Sequence, residues 1–170
     1  LFSIFVDSPL PELGLLPAPL SKPENPHTAE AYLYAELNGL RKERGVGPLT
    51  RFELFEPLAR EHSAWMANSG TVSHQIKNIT PGVPHHAANL ANPRAQHYEN
   101  VASAYTAEEA FKMAADSSGH LSAFLCQTCS HVSIGVALEP RLDGMPRIYV
   151  TWEMLDFVEG EPREIDYLQP

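Results

Sequence analysis

The sequence predicts an α+β domain in which helices cover an antiparallel sheet. Apolar residues recur at helical spacing in three segments, near residues 28–44, 56–68 and 107–116, and the pattern switches to strict alternation in His131–Leu138. A second strand-like run, Ile148–Met154, rich in β-branched and aromatic residues, follows after a turn. Helices first and strands last place the two kinds of element in separate layers around one core.

The first helix is expected from Thr28 to Arg44. Tyr32 or Leu33, Leu37 and Leu40 supply its apolar stripe, and Gly45 stops it. The turn Gly45-Val46-Gly47-Pro48 leads to a second helix from about Glu53 to Asn68, with Leu58, Ala59, Trp65 and Met66 on one face and Ser69-Gly70 at its end. Pro57 inside that span removes a helical hydrogen bond, so the regular part is expected over 56–68. Residues 75–97 hold Pro81, Pro84 and Pro93 without any period and read as a long loop. Thr106 and Glu109 form a capping box for a third helix over 107–116, buried through Ala110, Phe111, Ala114 and Ala115. Ser117-Ser118-Gly119 breaks it, and His120–Leu125 adds a further helical turn or two. Strands 131–138 and 148–154, joined by a turn containing Asp143-Gly144, are expected to pair as an antiparallel hairpin.

The flanks differ in composition. Residues 1–27 carry six of the 15 prolines among leucines and are expected to be extended; residues 158–170 form an acidic tail. The domain proper is therefore 28–157. At 170 residues the chain is long enough to bury one core. A net charge of −9 with scattered basic residues excludes nucleic acid as a partner. No apolar run approaches the roughly 20 residues of a membrane span, and any export signal lies outside this numbering.

Of eight histidines, His62 reads as a half-buried helical residue, and His27 and His131 have no evident partner. His74, His85, His86, His97 and His120 are expected in loops or at helix ends, where functional groups concentrate. Cys126-Gln127-Thr128-Cys129 lacks the second pair of a zinc knuckle and the context of a redox helix. Its plainest reading is a short-loop disulfide, with free thiols as the alternative.

Several fragments in order resemble the CAP superfamily (SCP/TAPS), particularly its bacterial members with few cysteines. They are Leu37-Asn38-x-x-Arg41-x-x-x-Gly45-x-x-Pro48-Leu49, Leu58-Ala59-x-Glu61-His62-Ser63-x-x-Met66, Val72-Ser73-His74, Glu99-Asn100-Val101-Ala102, Ser117-x-Gly119-His120-x-x-x-Leu125 and Val132-x-Ile134-Gly135-Val136-Ala137. The resemblance covers roughly residues 28–157. It implies an α-β-α sandwich with a central antiparallel sheet, a secreted or cell-surface monomer, and a groove lined by His74, Glu99 and His120. In several relatives a divalent ion is held between the two histidines. The family's usual tryptophan is absent near Ala114, and its second groove glutamate has no match, since Glu108 and Glu109 lie too close to His120.

Two imidazoles and a carboxylate suit zinc with positions left for water. Glu99 could alternatively brace the histidines without metal. The leading function is recognition of an envelope, lipid or protein ligand. The alternatives are a metal-dependent hydrolase with Glu99 as general base and a purely structural surface domain.

Overall fold

Asn25 opens the first helix as its cap. The computed structural model describes residues 25–74, 96–140 and 146–156. His85, His86, the Asp143-Gly144 turn, the acidic tail and almost all of the proline-rich segment lie outside them. The Asn25 side chain accepts from the His27 and Thr28 N–H groups, at 2.9 and 3.3 Å. Pro26 occupies the first turn, where no N–H is needed. Helix α1 (Pro26–Glu43) thus starts two residues before the expected Thr28. Leu33 and Leu37 are fully buried while Tyr32 is exposed, so Leu33 carries the stripe.

Strand β1 (Thr50–Arg51) and a 3-10 turn (Glu53–Phe55) precede α2 (Glu56–Ser69). That turn puts Pro57 into the first turn of α2, where proline is tolerated. Gly70, with φ 65°, closes the helix in the left-handed conformation. Strand β2 (Gln96–Ala104) leads to α3 (Ala107–Asp116), where Thr106 Oγ1 accepts from Glu109 N–H at 3.1 Å as the capping box predicts. Helix α4 (Ser118–Phe124), β3 (His131–Leu138) and β4 (Ile148–Asp156) complete the described chain.

The strands lie in the order β1-β3-β4-β2. The expected antiparallel hairpin of β3 and β4 is present. Strand β2 pairs antiparallel with β4 along its whole length, from Gln96 opposite Asp156 to Ala104 opposite Ile148. Two features depart from the sequence reading. The sheet is mixed, because β1 runs parallel to β3 at its margin; two residues are too few to show a period. Residues 96–104 are a strand, where the sequence pattern marks only the end of a loop at 97 and no element directly after it, because the ladder with β4 imposes the conformation on a segment whose polar side chains hide any alternation.

Helices cover both faces of the sheet. On one face Val132, Ile134, Val150 and Trp152 meet Leu33 and Leu37 of α1, Phe111 of α3 and Phe124 of α4. The Phe124 ring lies 5.4 Å from Trp152 and 5.7 Å from Phe111. On the other face α2 presents Ala59, His62, Ser63 and Met66, all buried at helical spacing. Ser63 Oγ donates to the Gly135 carbonyl at 2.9 Å. A Cβ on Gly135 would fall inside the Ala59–Arg60 backbone, so this glycine sets how closely α2 approaches. The fold is an α-β-α sandwich.

Buried Arg41 fastens one end of it, donating to the carbonyls of Gly47, Phe124 and Cys126 at 2.7, 2.7 and 2.9 Å. Cys126 and Cys129 form a disulfide with their Cα atoms 5.5 Å apart.

Two outcomes follow from this packing. Gly135→Ala should lower stability by about 1–3 kcal/mol or more, because helix backbone cannot yield as a side chain can; an unchanged denaturation midpoint would refute the contact. Cys126 and Cys129 should resist alkylation until the native protein is reduced, and two freely labelled thiols before reduction would count against the disulfide.

Candidate functional site: a groove at the free edge of the sheet

Strand β2 has no neighbour on its outer side among the described residues. Its consecutive residues His97, Tyr98, Glu99 and Asn100 all line one cavity of about 450 Å³, together with His74 and His120. Successive strand side chains point to opposite faces, so a cavity that touches four in a row must wrap around the strand's edge. His74 enters from the segment after α2 and His120 from the start of α4.

Each wall has its own tether. Ser117, in extended conformation between α3 and α4, turns the chain so that α4 begins over the groove. Buried Asn100 then donates from Nδ2 to the His120 carbonyl at 2.9 Å. A smaller, largely apolar cavity of about 240 Å³ adjoins, lined by Val72, Val101, Met113 and Ala114 and sharing Ser117 and His120 with the first.

Glu99 lies at the centre, its side chain only 4 % exposed. Oε1 accepts from His74 Nδ1 at 2.6 Å, and Oε2 lies 3.0 Å from His62 Nδ1. His62 Nε2 stands 2.8 Å from the Ser73 carbonyl oxygen; because a carbonyl only accepts, that nitrogen carries a proton. Directly opposite Glu99 on β4 is Glu153, wholly buried and in contact with His97 Nε2 through Oε2. Burial by itself would push the Glu99 carboxyl up. The hydrogen bond and charge of His62 outweigh it, and with contacts from Glu153 and His74 they hold Glu99 down at about 2. Glu153 is pushed well above the ordinary carboxylate range, first by burial and then by the Glu99 charge.

The structure brings His74 and Glu99 into direct contact and lines the same cavity with His120, whose buried Nδ1 has no hydrogen-bond partner among the described residues. Among the described residues, the group of three or more metal-ligating side chains whose ligand atoms all lie within 4.8 Å of one another is a different one, His62, Glu99 and Glu153. His62, expected to be an ordinary half-buried helical histidine, is 1 % exposed and touches the central glutamate. Sequence reasoning missed Glu153 altogether, although it is the one charged residue in the strand run Ile148–Leu155. His97 sits on β2 against Glu153 and not in a loop. His27 and His131 also have neighbours, Glu30 at 3.4 Å and Ser130 at 2.8 Å.

Residues 34–153 match the family model described as CAP, the cysteine-rich secretory protein family. Among solved structures, an extracellular SCP-domain protein from Bacillus anthracis aligns with TM-score 0.67 and 15% identity, over 81% of this chain and 45% of that one. An outer surface protein from Borrelia burgdorferi gives 0.60 and 19%, over 79% of this chain and 98% of its own. A cysteine-rich secretory protein from Staphylococcus aureus gives 0.56 and 16%, over 79% and 40%. The chain therefore spans less than half the length of the Bacillus and Staphylococcus chains. No curated protein matches the sequence significantly.

The Glu99 environment has a thermodynamic signature. A carboxyl held below its unfolded value stabilises the fold above that value, and the contribution is lost as pH falls from the ordinary 4.5 towards about 2. Glu99→Gln should remove on the order of 3 kcal/mol at pH 7 and flatten the acid limb of the stability curve. Denaturant titrations between pH 5 and 2 that run parallel in wild type and variant would contradict the assignment.

Proposed function

Because the chain belongs to the CAP family of cysteine-rich secretory proteins, we propose that it acts outside the cytoplasm as a binding module whose ligand lies in the groove along β2. The solved structures it resembles, described as extracellular or outer-surface proteins, support that location. The observation that carries the reading is the pairing of the open polar groove with the apolar cavity beside it, joined at Ser117 and His120. That pair fits an amphiphile, with its polar head beside His74 and Tyr98 and its apolar part against Val72 and Met113.

A divalent ion fits the groove side of this site. Glu99 accepts from His74 Nδ1, which leaves His74 Nε2 directed elsewhere, and a carboxylate behind a ligating imidazole is the usual second partner of a metal-bound histidine. His120 offers a buried nitrogen with no hydrogen bond among the described residues. An ion held by His74 and His120 would supply a positive centre for a ligand's phosphate or carboxylate, with Glu99 orienting His74.

Hydrolysis with Glu99 as general base is the weaker reading. A base works best with a pKa near the working pH, and Glu99 lies at about 2. A carboxylate that retains its charge so firmly is suited to orienting a histidine and poorly suited to taking up a proton.

Lysophosphatidylcholine, used below its micelle concentration, is a suitable probe because its head is zwitterionic and its single chain is short. Binding measured by calorimetry with zinc present should weaken at least ~10-fold, about 1.4 kcal/mol, in both His120→Ala and Met113→Glu, with the lipid unhydrolysed. Equal binding by wild type and both variants would refute the groove as the ligand site. Turnover abolished by Glu99→Gln would establish the enzyme reading in its place.

A further inference from the structure

We propose a second, buried divalent-cation site beneath the groove, formed by His62 Nδ1, Glu99 Oε2 and Glu153 Oε1. Three observations converge on it. The ligand atoms of these side chains all lie within 4.8 Å of one another. His62 Nδ1 and Glu99 Oε2 are 3.0 Å apart, close to the roughly 3.3 Å edge of a tetrahedron with metal–ligand bonds near 2.0 Å. Glu153 Oε1, on a side chain with no exposure, has no hydrogen-bond partner among the described residues and belongs to the residue directly opposite Glu99.

The tautomer of His62 sharpens the case. Its Nε2 donates to the Ser73 carbonyl, the arrangement that fixes a metal-binding imidazole with its other nitrogen bare. Once the Nδ1 proton that bridges His62 to Glu99 is displaced, Nδ1 turns a lone pair towards a carboxylate oxygen, and that carboxylate faces a second one. Each lone-pair pair must be bridged by a proton or a cation. One divalent ion bridges both and brings the cluster of a neutral imidazole and two carboxylates to zero net charge, the condition under which charged groups tolerate burial. His97 Nε2, on Glu153 Oε2, holds the far side of that carboxylate as an outer partner.

One imidazole and two carboxylates suit zinc or a neighbouring first-row ion better than magnesium or calcium, which take oxygen ligands. Glu99 lines the groove, so the ion enters past His74. The site shares Glu99 with the groove but needs neither His74 nor His120.

The test begins with the metal-free His74→Ala/His120→Ala chain titrated with zinc. It should still take up one equivalent and gain thermal stability, while magnesium at the same concentration has no effect. Adding Glu153→Gln should weaken that binding by more than the roughly 10–100-fold that loss of an outer partner costs. A double variant that binds no zinc, or a Glu153→Gln chain that binds as tightly as its parent, would overturn the proposal. Anomalous diffraction at the zinc edge from wild-type crystals gives an answer independent of variant folding. A peak between His62, Glu99 and Glu153 supports the buried site. Zinc found between His74 and His120 alone overturns it and leaves the groove reading standing, whereas zinc at the buried site alone has the opposite consequence.

Discussion

Two glutamates face each other across the β2–β4 ladder inside the protein, Glu99 and Glu153, and the groove is organised around the need to accommodate them. Like charges directly opposite on neighbouring strands repel, and removal from water raises the penalty. The surroundings answer with polar partners from separate parts of the chain: His62 from α2, His74 and the Ser73 carbonyl from the segment after it, and His97 from β2 itself. Most of these contacts cross between elements, so satisfying the pair also docks the end of α2 against the edge of the sheet.

That docking requires the helix to be close. Gly135 allows it, since any side chain there would meet the α2 backbone, and Ser63 secures it through the Gly135 carbonyl and Thr151 Oγ1, both at 2.9 Å. At this separation the stripe Ala59–His62–Ser63–Met66 presents His62 to Glu99. The neighbouring residue, Asn100, points the other way and holds the His120 carbonyl. Adjacent strand residues thus control opposite walls of one groove, a direct result of strand alternation. The Glu-Asn pair in the motif is a structural unit as much as a chemical one.

How much of this was legible in the sequence depended on what kind of signal each element leaves. Helices α1, α2 and α3 and the β3–β4 hairpin bury continuous apolar stripes, so Leu33, Phe111, Ile134 and Val150 announce them by period. Strand β2 buries Glu99, Asn100 and Ser103 among its apolar residues; its conformation comes from pairing with β4, a long-range fact that a local window does not contain. The motif-matched residues His74 and Glu99 do meet, and His120 lines the same cavity. His62 and Glu153 were missed for one reason: each sits in an element whose pattern marks the position as core, and a polar residue at a core position reads as incidental until its partner is known. For both residues that partner is Glu99, on strand β2.

The two margins of the sheet are treated differently, which explains why the groove is where it is. Beyond the short β1, the exposed edge of β3 is capped by Glu30, whose Oε1 accepts from Val136 N–H at 3.2 Å while Arg60 clamps the same carboxylate at 2.7 Å. That margin is closed by a charge-assisted contact between α1 and α2. At the β2 margin no helix or strand lies along the described edge, and an open strand edge is a liability unless something blunts it. Here the end of α2 and the start of α4 flank it, with charged and polar side chains turned towards the strand. Among the described residues this edge is protected by side chains and not by backbone, which leaves a polar trough along the strand. On the proposed function, a ligand at that margin would leave the β2–β4 ladder, and the buried glutamate pair beneath it, intact.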